Sequence, residues 1–513
     1  MRAAVLRMWP EASGERSVAV SQTEPMSMPI AVPVRASALL GQQRQAVRRP
    51  NVSFNGRRIH FMGAGGIGVS ALMELCASRG ALVSGCDCSD KGQVPALRAR
   101  GIHIDATHCA SHIESCDELV YTAAVPPTHP EVQRALQLDR EATTRMRMLG
   151  KIADGTRAIC VTGAHGKTTT TWLIARILIA AGRDPSVLVG GVVKELAGNV
   201  RTGKGEEFVA EVDESDNRLS EVVPSIPVLT NIDNDHLDNY GTIDAIEAAL
   251  GRFLASTDSS DPKAVLVGCG DDVRVRRVLL RARSQTRLPS ITYGFKGYCD
   301  VRALNLRADG LGWKFDVLGP FGLWADVQLP MPGEHNILNA LAAISVAWHL
   351  GVSEDCVRAA LSGIERVARR FEIKGVVRGV RVVDDYGHHP TEIRATLAAA
   401  RQSTSGRVGM IFQPHRYTRT AALMQDFAAC FEAADALFLM PIYAASEAPI
   451  PGVDHASLAR AITIHGKPVQ VCIANDRADA VRMAAEWAKN GDTILTQGAG
   501  DVTRAGDELV SRL

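Results

Sequence analysis

The sequence lacks long apolar runs and lacks an excess of charge of either sign. No stretch approaches the roughly eighteen consecutive apolar residues of a membrane-spanning helix, so we expect no membrane insertion. The formal net charge is only +1, whereas a general nucleic-acid binder needs a basic surplus to neutralise phosphates. These absences argue against a membrane protein and against a general nucleic-acid binder.

A regular cysteine pattern is also missing. The eleven cysteines are odd in number and irregularly spaced, so they predict neither a disulfide framework nor a C-x-x-C metal site. The closest pair, Cys86 and Cys88, is interpreted as two ordinary thiols. The sequence therefore predicts a cytoplasmic protein. Its 513 residues, 46% of them hydrophobic and 22% charged, suffice for about three globular domains.

Residues 158–171 read AICVTGAHGKTTTT, a short apolar strand followed by a glycine turn and a helical pattern. Gly163 and Gly166 let backbone amides point at one place, and the start of a helix favours negative charge there. Lys167 adds a full positive charge, and Thr168 would offer its hydroxyl to a phosphate-bound Mg²⁺. We therefore predict a phosphate loop.

The glycine spacing leaves an alternative open. The pattern G-x-x-G-K-T is shorter than the full Walker motif, which needs a glycine at position 161, where this chain has valine. The alternative is a glycine turn capped by threonines. In both interpretations the helical pattern begins at Trp172.

Two polar clusters follow predicted strands of the same region. The strand at 207–212 leads into DESD, and Glu211 lies within the apolar run FVAEV. A buried carboxylate needs a partner, which Mg²⁺ beside a triphosphate would provide. The strand at 226–230 leads into NIDNDHLD, which contains His236. Because ligands gather at the carboxyl ends of strands, His236 is either a metal or phosphate ligand or a structural residue.

A glycine-rich segment, GAGGIG at 63–68, lies between a predicted strand at 58–62 and a helical pattern. A second predicted strand, 81–84, ends near Asp87, at the distance where an acid contacts a ribose. This predicts a Rossmann-type nucleotide site. A dinucleotide-dependent oxidoreductase is therefore a competing interpretation.

From about residue 371, predicted strands, among them 408–412 and 436–439, repeatedly end in polar or glycine loops. These loops are DDYGHHP, QPHRYTRT, MPIYAASEAPIPG and QGAGD. This alternation is typical of an open parallel sheet with ligands at one edge. The side chains expected to face one cleft are Asp385, His388, His415, Arg416 and Arg419. The two arginines would suit a carboxylate or phosphate, or would form surface ion pairs.

Upstream of that region, Asn336 and Asn339 lie three residues apart, on one face of a predicted helix. They would either pair with a base edge or cap the first turn.

Seven motifs occur in an order typical of the Mur ligases, the ATP-dependent amino-acid ligases of peptidoglycan synthesis. These are GAHGKTTTT, EVDESD, TNIDNDHLD, HNILNA, DDYGHHP, FQPHRYTRT and PIYAASEAPIPG. Over residues 57–505 the chain resembles this family. The last three motifs favour the branch that joins L-alanine to UDP-N-acetylmuramate, with a tripeptide-recycling ligase as the rival.

The resemblance implies an α/β fold in which Rossmann-like N- and C-terminal domains flank a central P-loop ATPase domain. The expected divisions are a disordered extension at 1–55, a UDP-substrate domain at 56–150, an ATP domain at 151–370 and an amino-acid domain at 371–513. The resemblance further implies that an acyl phosphate would form on the sugar's lactyl carboxylate and that the amine of L-alanine would then displace phosphate. The oligomeric state is left open.

The resemblance also implies residue roles. ATP would be bound by Gly163, Ala164, His165, Gly166, Lys167, Thr168, Thr169 and Asn336. The UDP-substrate would be bound by Gly63, Gly65, Gly66, Gly68, Asp87, Arg416 and Arg419. The amino acid would be bound by Asp385, His388 and His415. Mg²⁺ would be held by Thr168, Glu211 and His236. The catalytic residues would be Lys167, Glu211, His236 and His388, with His388 or His415 as the base.

Overall fold

A computed structural model describes residues 53–90, 92–122, 125–235, 237–465 and 469–513. The extension expected at 1–55 lies outside these ranges except for residues 53–55. His236 also lies outside them. The described chain forms three sheets of five, ten and six strands, which follow one another along the sequence. We call the parts built around them the first, middle and last domains. Within the described ranges, no helix has the length and apolar character needed to cross a membrane.

The first sheet is entirely parallel, with the strand order β3-β2-β1-β4-β5. Its elements are β1 (Arg58–Met62), α1 (Ile67–Ser78), β2 (Leu82–Cys86), α2 (Val94–Ala99), β3 (His103–Asp105), β4 (Glu118–Tyr121), α3 (Pro130–Gln137), β5 (Glu141–Thr144) and α4 (Arg145–Ala153). Strands β2 and β3 lie on one side of β1, and β4 and β5 lie on the other. The strand order therefore reverses between β1 and β4, and open α/β sheets bind ligands at such a reversal. The glycine segment follows β1 at this point, as the sequence predicted.

The middle sheet has the strand order β15-β14-β13-β12-β11-β10-β6-β9-β7-β8. In chain order, its elements up to α7 are β6 (Arg157–Thr162), α5 (Lys167–Ala180), β7 (Ser186–Val193), β8 (Gly198–Arg201), β9 (Glu207–Glu211), β10 (Ile226–Leu229), α6 (Leu237–Tyr240) and α7 (Ile243–Ala255). The remaining ones are β11 (Leu266–Cys269), α8 (Val273–Thr286), β12 (Ser290–Gly294), β13 (Val301–Asp309), β14 (Gly312–Gly319), β15 (Gly322–Leu329), α9 (Glu334–His349) and α10 (Glu354–Ser362).

Helix α5 begins earlier than the sequence indicated. It starts at Lys167, so all four threonines are helical, whereas the apolar pattern placed the start at Trp172. Threonine has a low helix propensity, but these four side chains are buried, and the Thr171 hydroxyl donates to the carbonyl of Lys167. Tertiary packing therefore overrides local preference here.

The last sheet has the order β16-β17-β21-β18-β19-β20, and all strands except the antiparallel edge strand β16 run parallel. Its elements are β16 (Glu372–Val377), β17 (Val380–Asp385), α11 (Pro390–Ser403), β18 (Val408–Phe412), α12 (Tyr417–Ala422), α13 (Met424–Ala428), β19 (Ala436–Leu439), α14 (His455–His465), β20 (Gln470–Ile473), α15 (Arg477–Trp487), β21 (Thr493–Gln497) and α16 (Thr503–Arg512). The predicted strands 408–412 and 436–439 are found at those bounds.

The first and middle domains share a hydrophobic core. One cluster of buried side chains includes Leu149 of α4 together with Phe208 and Phe253 of the middle domain. The Asn199 amide also donates to the carbonyl of Ile67, at 3.1 Å, beside the glycine segment. The last domain contains two clusters of its own, on opposite sides of its sheet. The glycine segment is therefore fixed against the middle domain by packing.

Candidate active site

Two cavities meet at the loop between β6 and α5. The first has a volume of 430 Å³ and is lined by the middle and last domains. The second has a volume of 570 Å³, and Gly68 and Arg145 of the first domain also border it. Gly166, Arg370 and Glu392 line both cavities. The second cavity is therefore the place where side chains of all three domains converge.

The loop itself has the strand, turn and helix arrangement that the sequence predicted. Gly163 and Gly166 have φ values of +121° and +80°, in the region that favours glycine. A Cβ at Gly163 would collide with the Thr230 hydroxyl, and one at Gly166 with the side chain of Asn339. Both glycines are therefore required for the loop to pack against β10 and α9.

Lys167 is held inside the loop. Its Nζ donates to the carbonyls of Gly163, at 2.8 Å, and Ala164, at 3.2 Å, and lies 2.9 Å from Oε1 of Glu214. Burial by itself would lower the pKa of Lys167, but the carboxylates of Glu214, Asp213 and Glu211 raise it overall. Lys167 is therefore a fixed cation at the junction of the two cavities.

Glu214 is a site residue that the sequence reasoning did not single out. We expected the buried carboxylate to be Glu211, because it lies in an apolar run, but the deeply buried one is Glu214. Glu211 ends strand β9 with a partly exposed side chain and accepts a hydrogen bond from the Gly190 amide at 2.8 Å. It borders the second cavity together with Thr168. The strand ends at Glu211, so its side chain emerges from the sheet edge.

A second cation lies in the same loop. His165 Nε2 is 2.9 Å from Asp233 Oδ2, and its Nδ1 is 3.5 Å from Glu392 Oε1. Burial alone would lower the pKa of His165, but these two carboxylates raise it to about 9. The backbone amide of His165 also donates to Asn231 Oδ1, at 2.8 Å, which ties the loop to the end of β10.

The first cavity is bordered by both asparagines of helix α9. Asn339 Nδ2 donates to Asn336 Oδ1, at 3.1 Å, and Asn336 Nδ2 donates to the carbonyl of Pro332, at 2.7 Å. Thr169 also lines this cavity, and so does Tyr293. The region 260–330, whose sequence shows no site motif, contributes Cys269, Asp271, Asp272 and Tyr293. Those residues lie at the ends of β11 and β12, strands that carry no recognisable motif.

The glycine segment of the first domain is organised by Asp87. The carboxylate of Asp87, which follows β2, accepts a hydrogen bond from the Gly65 amide at 2.8 Å. Gly63 has a φ of +75°, and Gly66 precedes the first residue of α1. Gly68 alone among the predicted glycines of this segment borders the second cavity. The acid predicted to contact a ribose thus also fixes the loop.

Four of the five side chains expected to share one cleft do so. His388, His415, Arg416 and Arg419 line the second cavity, whereas Asp385 lines the first. Asp385 is buried and accepts hydrogen bonds from the amides of Phe371, at 2.9 Å, and Gly387, at 2.8 Å. Burial raises the pKa of Asp385 to about 6. These contacts turn its carboxylate toward the junction between the middle and last domains.

The two histidines of the second cavity are neutral. Burial lowers the pKa of His388 to about 3 and that of His415 to about 4, and the nearby Arg419 acts in the same direction. Nδ1 of His388 lies 3.2 Å from the carbonyl oxygen of Tyr386. Because a carbonyl can only accept, Nδ1 carries the proton and Nε2 holds the lone pair.

His415 has the opposite arrangement. Its Nδ1 lies 3.3 Å from a guanidinium nitrogen of Arg419, which can only donate, so the lone pair of His415 is already engaged. Arg419 also forms an ion pair with Asp235 at 3.0 Å. Arg419 therefore bridges the middle and last domains. His236, the residue after Asp235, lies outside the described residues.

The connection between the middle and last domains reaches the phosphate loop. Arg369 and Phe371 have φ values of +60° and +52°, and Arg370 lies between them. The guanidinium of Arg370 lies 3.4 Å from the Thr168 hydroxyl and 3.8 Å from a carboxylate oxygen of Glu392. This connection thus places a further cation beside Thr168.

Three family profiles match the chain. The Mur ligase family catalytic domain matches residues 58–157, the Mur ligase middle domain residues 161–347, and the Mur ligase glutamate ligase domain residues 369–500.

Curated relatives match most of the chain. The UDP-N-acetylmuramate--L-alanine ligase of Solibacter usitatus is 42% identical over 90% of this chain and 96% of its own length. That of Agrobacterium fabrum is 39% identical over 89% and 96%. Among solved structures, UDP-N-acetylmuramate-alanine ligase from Thermotoga maritima has a TM-score of 0.72 at 28% identity, covering 89% of this chain and 98% of that one. A murein peptide ligase from Psychrobacter arcticus has a TM-score of 0.65 at 24% identity, covering 89% and 98%.

Proposed function

This chain belongs to the Mur ligase family, and we propose that it joins L-alanine to the lactyl carboxylate of UDP-N-acetylmuramate, with conversion of ATP to ADP and phosphate. The observation that carries the proposal is the second cavity. It brings a lysine, carboxylates and a neutral histidine from different domains to one space. The relatives are named for a sugar nucleotide and an amino acid. Three converging domains can bind two such substrates together with ATP.

The reaction has two steps. The lactyl carboxylate oxygen attacks the γ-phosphorus of ATP, which forms the acyl phosphate and releases ADP. The neutral amine of L-alanine then attacks the acyl carbon, phosphate leaves, and the amine loses a proton as the amide forms. Both reactants of the first step are anions, so fixed positive charge must offset their repulsion.

We place the adenosine of ATP in the first cavity and the γ-phosphate at the entrance to the second. Asn336 borders the first cavity, and the loop residues His165, Gly166 and Lys167 lie between the two spaces. Lys167, the protonated His165 and Arg370 place three cations at the loop, each beside a carboxylate. An anionic phosphate chain is therefore favoured along this line.

The donors near the loop suit Mg²⁺. The Thr168 hydroxyl and the Glu211 carboxylate border the same cavity as Lys167, and hard oxygen donors are what Mg²⁺ prefers. We propose that these two residues, with His236, hold the ion. When bound it neutralises charge on the phosphates.

We assign His388 as the base that receives the amine proton. Its Nε2 holds the lone pair, whereas the lone pair of His415 is engaged by Arg419. A neutral imidazole in a buried site can accept a proton directly from the attacking amine. His415, together with Asp385 on the neighbouring cavity, is proposed to contact the amino acid. Arg416 and Arg419 are proposed to bind anionic groups of the sugar nucleotide.

The domain divisions expected at 56–150, 151–370 and 371–513 are kept as proposals. The family matches begin and end near them, at 58–157, 161–347 and 369–500. Helix α4 runs across residue 150 and joins the core that the first and middle domains share.

The test is phosphate release by the purified full chain with ATP, Mg²⁺ and UDP-N-acetylmuramate. We expect release to require L-alanine and not to occur with the tripeptide that recycling ligases use. Preference for the tripeptide would assign the chain to the other branch. Nucleotide binding without turnover would make it a scaffold, and a change in NAD(P)H absorbance would restore the oxidoreductase interpretation.

A further inference from the structure

Four potential metal ligands converge inside the first domain, away from the two cavities. They come from separate elements: His60 from β1, Cys86 from the end of β2, His112 from the turn at 110–115, and Glu131 from the first turn of α3. One ligand atom from each lies within 4.8 Å of all the others. His60, Cys86 and Glu131 are fully buried, and only 14% of the His112 side chain is exposed.

The distances between these atoms fit the edges of a tetrahedron around zinc. With ordinary zinc bond lengths, an edge from sulfur to nitrogen or oxygen spans about 3.5 Å, and one from nitrogen to oxygen about 3.3 Å. Cys86 Sγ lies 3.4 Å from His60 Nε2 and 3.5 Å from Glu131 Oε1. His112 Nδ1 lies 2.9 Å from the same carboxylate oxygen. Little movement would therefore place all four around one ion.

The other nitrogen of each histidine already has an orienting partner. His60 Nδ1 lies 2.9 Å from the Ser84 hydroxyl, and His112 Nε2 lies 3.4 Å from the Asp105 carboxylate. Metal-binding histidines are usually fixed in this way, with the outer nitrogen bonded to a carboxylate or another polar group.

Charge balance also favours a divalent ion. A buried thiolate and a buried carboxylate would be costly without compensation, but together they neutralise one divalent cation. Binding would release the thiol proton to solvent as the metal–sulfur bond forms. The alternative is a hydrogen-bonded cluster without a metal, in which the Cys86 thiol and His112 donate to the Glu131 carboxylate. His108 Nδ1, 3.0 Å from Cys86 Sγ, also takes part in that cluster.

We propose that His60, Cys86, His112 and Glu131 form a structural site for Zn²⁺ in the first domain. The thiolate and imidazoles select a borderline-soft transition metal over Mg²⁺ or Ca²⁺. Four protein ligands close the coordination sphere, which is typical of structural and not catalytic zinc. The ion would join β1, β2 and α3 at Cys86, the residue before Asp87, whose carboxylate organises the glycine segment.

The test uses the purified full chain, stripped with a chelator, dialysed against Zn²⁺ or Co²⁺ and freed of excess metal. We expect one tightly held Zn²⁺ per chain by elemental analysis. The Co²⁺ form should show the intense visible bands of a tetrahedral ion and a near-ultraviolet band from thiolate charge transfer.

The variants assign the ligands. Cys86→Ser should lose the charge-transfer band and the stoichiometric metal, and His112→Ala should lose the metal. Cys109→Ser is the matched control, since this exposed thiol lies beside the cluster but is not among the four residues. If the wild-type chain binds no stoichiometric Zn²⁺ and gives no charge-transfer band, the proposal is overturned, whatever the folding of the variants. Metal and band that persist in Cys86→Ser would overturn it equally.

Discussion

At the scale of single residues, Lys167 and Glu214 form the pair on which the proposed chemistry depends. Lys167 could be predicted because its position after the glycine turn follows a known physical pattern. Glu214 could not be predicted, because four acids stand together in EVDESD and only the path of the chain after β9 decides which one turns inward.

We expect Lys167→Met to lower kcat at least about a hundredfold, because a charge stabiliser of the transition state is worth about 3 kcal/mol or more. The substitution also removes a partner of the buried Glu214, so it should destabilise the fold by about 3 kcal/mol. The double variant Lys167→Met/Glu214→Gln separates the two effects: thermal unfolding should show recovered stability while phosphate release stays low. Lys204→Ala, an exposed lysine, is the control. Near-normal turnover by Lys167→Met would contradict the phosphate loop.

His388→Asn should impair the second chemical step and spare the first. Loss of a general base typically costs about a hundredfold or more in rate. Amide formation should therefore fall, while acyl phosphate formed without L-alanine, trapped with hydroxylamine, should stay near the wild-type amount. His415→Asn is the matched comparison. If it suppresses amide formation more than His388→Asn does, the assignment of the base is wrong.

His165 predicts a pH dependence of stability. Its pKa is about 9 in the folded chain, above the ordinary value of 6.5, because Asp233 and Glu392 outweigh its burial. The protonated form is therefore favoured by folding. Its stabilising contribution should be fully present below about pH 6.5 and lost as the pH rises through 9, up to about 3 kcal/mol in all. Denaturant unfolding of wild type and His165→Gln should show a gap that narrows between pH 6.5 and 9.5; a constant gap would refute the charged pair.

At the scale of elements, the sequence predicted the strands whose tips carry site residues. Residues 58–62, 408–412 and 436–439 were found at the predicted bounds, because each is a short apolar run ended by a turn. The start of α5 was missed because burial of its threonines outweighs their propensity. Tyr293 and Asp272 were missed because the ends of β11 and β12 reach the site only through the order of strands in the sheet.

Gly166→Ala tests the start of helix α5. The residue has a φ of +80°, and a Cβ there would collide with Asn339. We expect a loss of about 1–2 kcal/mol in stability and at least about tenfold weaker ATP binding, measured by calorimetry. Gly182→Ala, beyond the other end of α5, has a similar φ of +71° but nothing within 4 Å of the new Cβ. Gly182→Ala should therefore lose stability but keep its affinity for ATP. An equal loss of ATP binding in both variants would contradict a role for the loop.

At the scale of the whole molecule, the second cavity exists only because three domains meet. The sequence order of the motifs predicted three domains but not that α4 would bring Arg145 to the cavity, since helix α4 carries no recognisable motif. Contacts between domains depend on how whole surfaces fit, and no local pattern encodes them. The arrangement of the cores could not be predicted for the same reason. The first and middle domains share one core, whereas the last domain has two clusters of its own.

Arg145→Gln should therefore affect the sugar nucleotide selectively. We expect the KM for UDP-N-acetylmuramate to rise at least about tenfold, because a charge-assisted contact is worth about 1.5–3 kcal/mol, with the KM for ATP unchanged. Arg147→Gln changes the same helix two residues on, where the side chain is 62% exposed, and should leave both values alone. Steady-state kinetics with each substrate varied in turn would decide, and equal effects on both KM values would remove Arg145 from substrate binding.

The carboxylate of Glu214 lies 2.9 Å from Lys167 Nζ, a position that would also suit a phosphate oxygen. The loop therefore contains an anion of its own that is paired with the lysine. A free inorganic anion must displace this carboxylate before it can bind to Lys167. A polyphosphate displaces it more readily, because it also binds the N-terminus of α5 and the neighbouring cations His165 and Arg370. Inorganic phosphate, the small anion that the proposed reaction releases, is for this reason disfavoured beside Lys167.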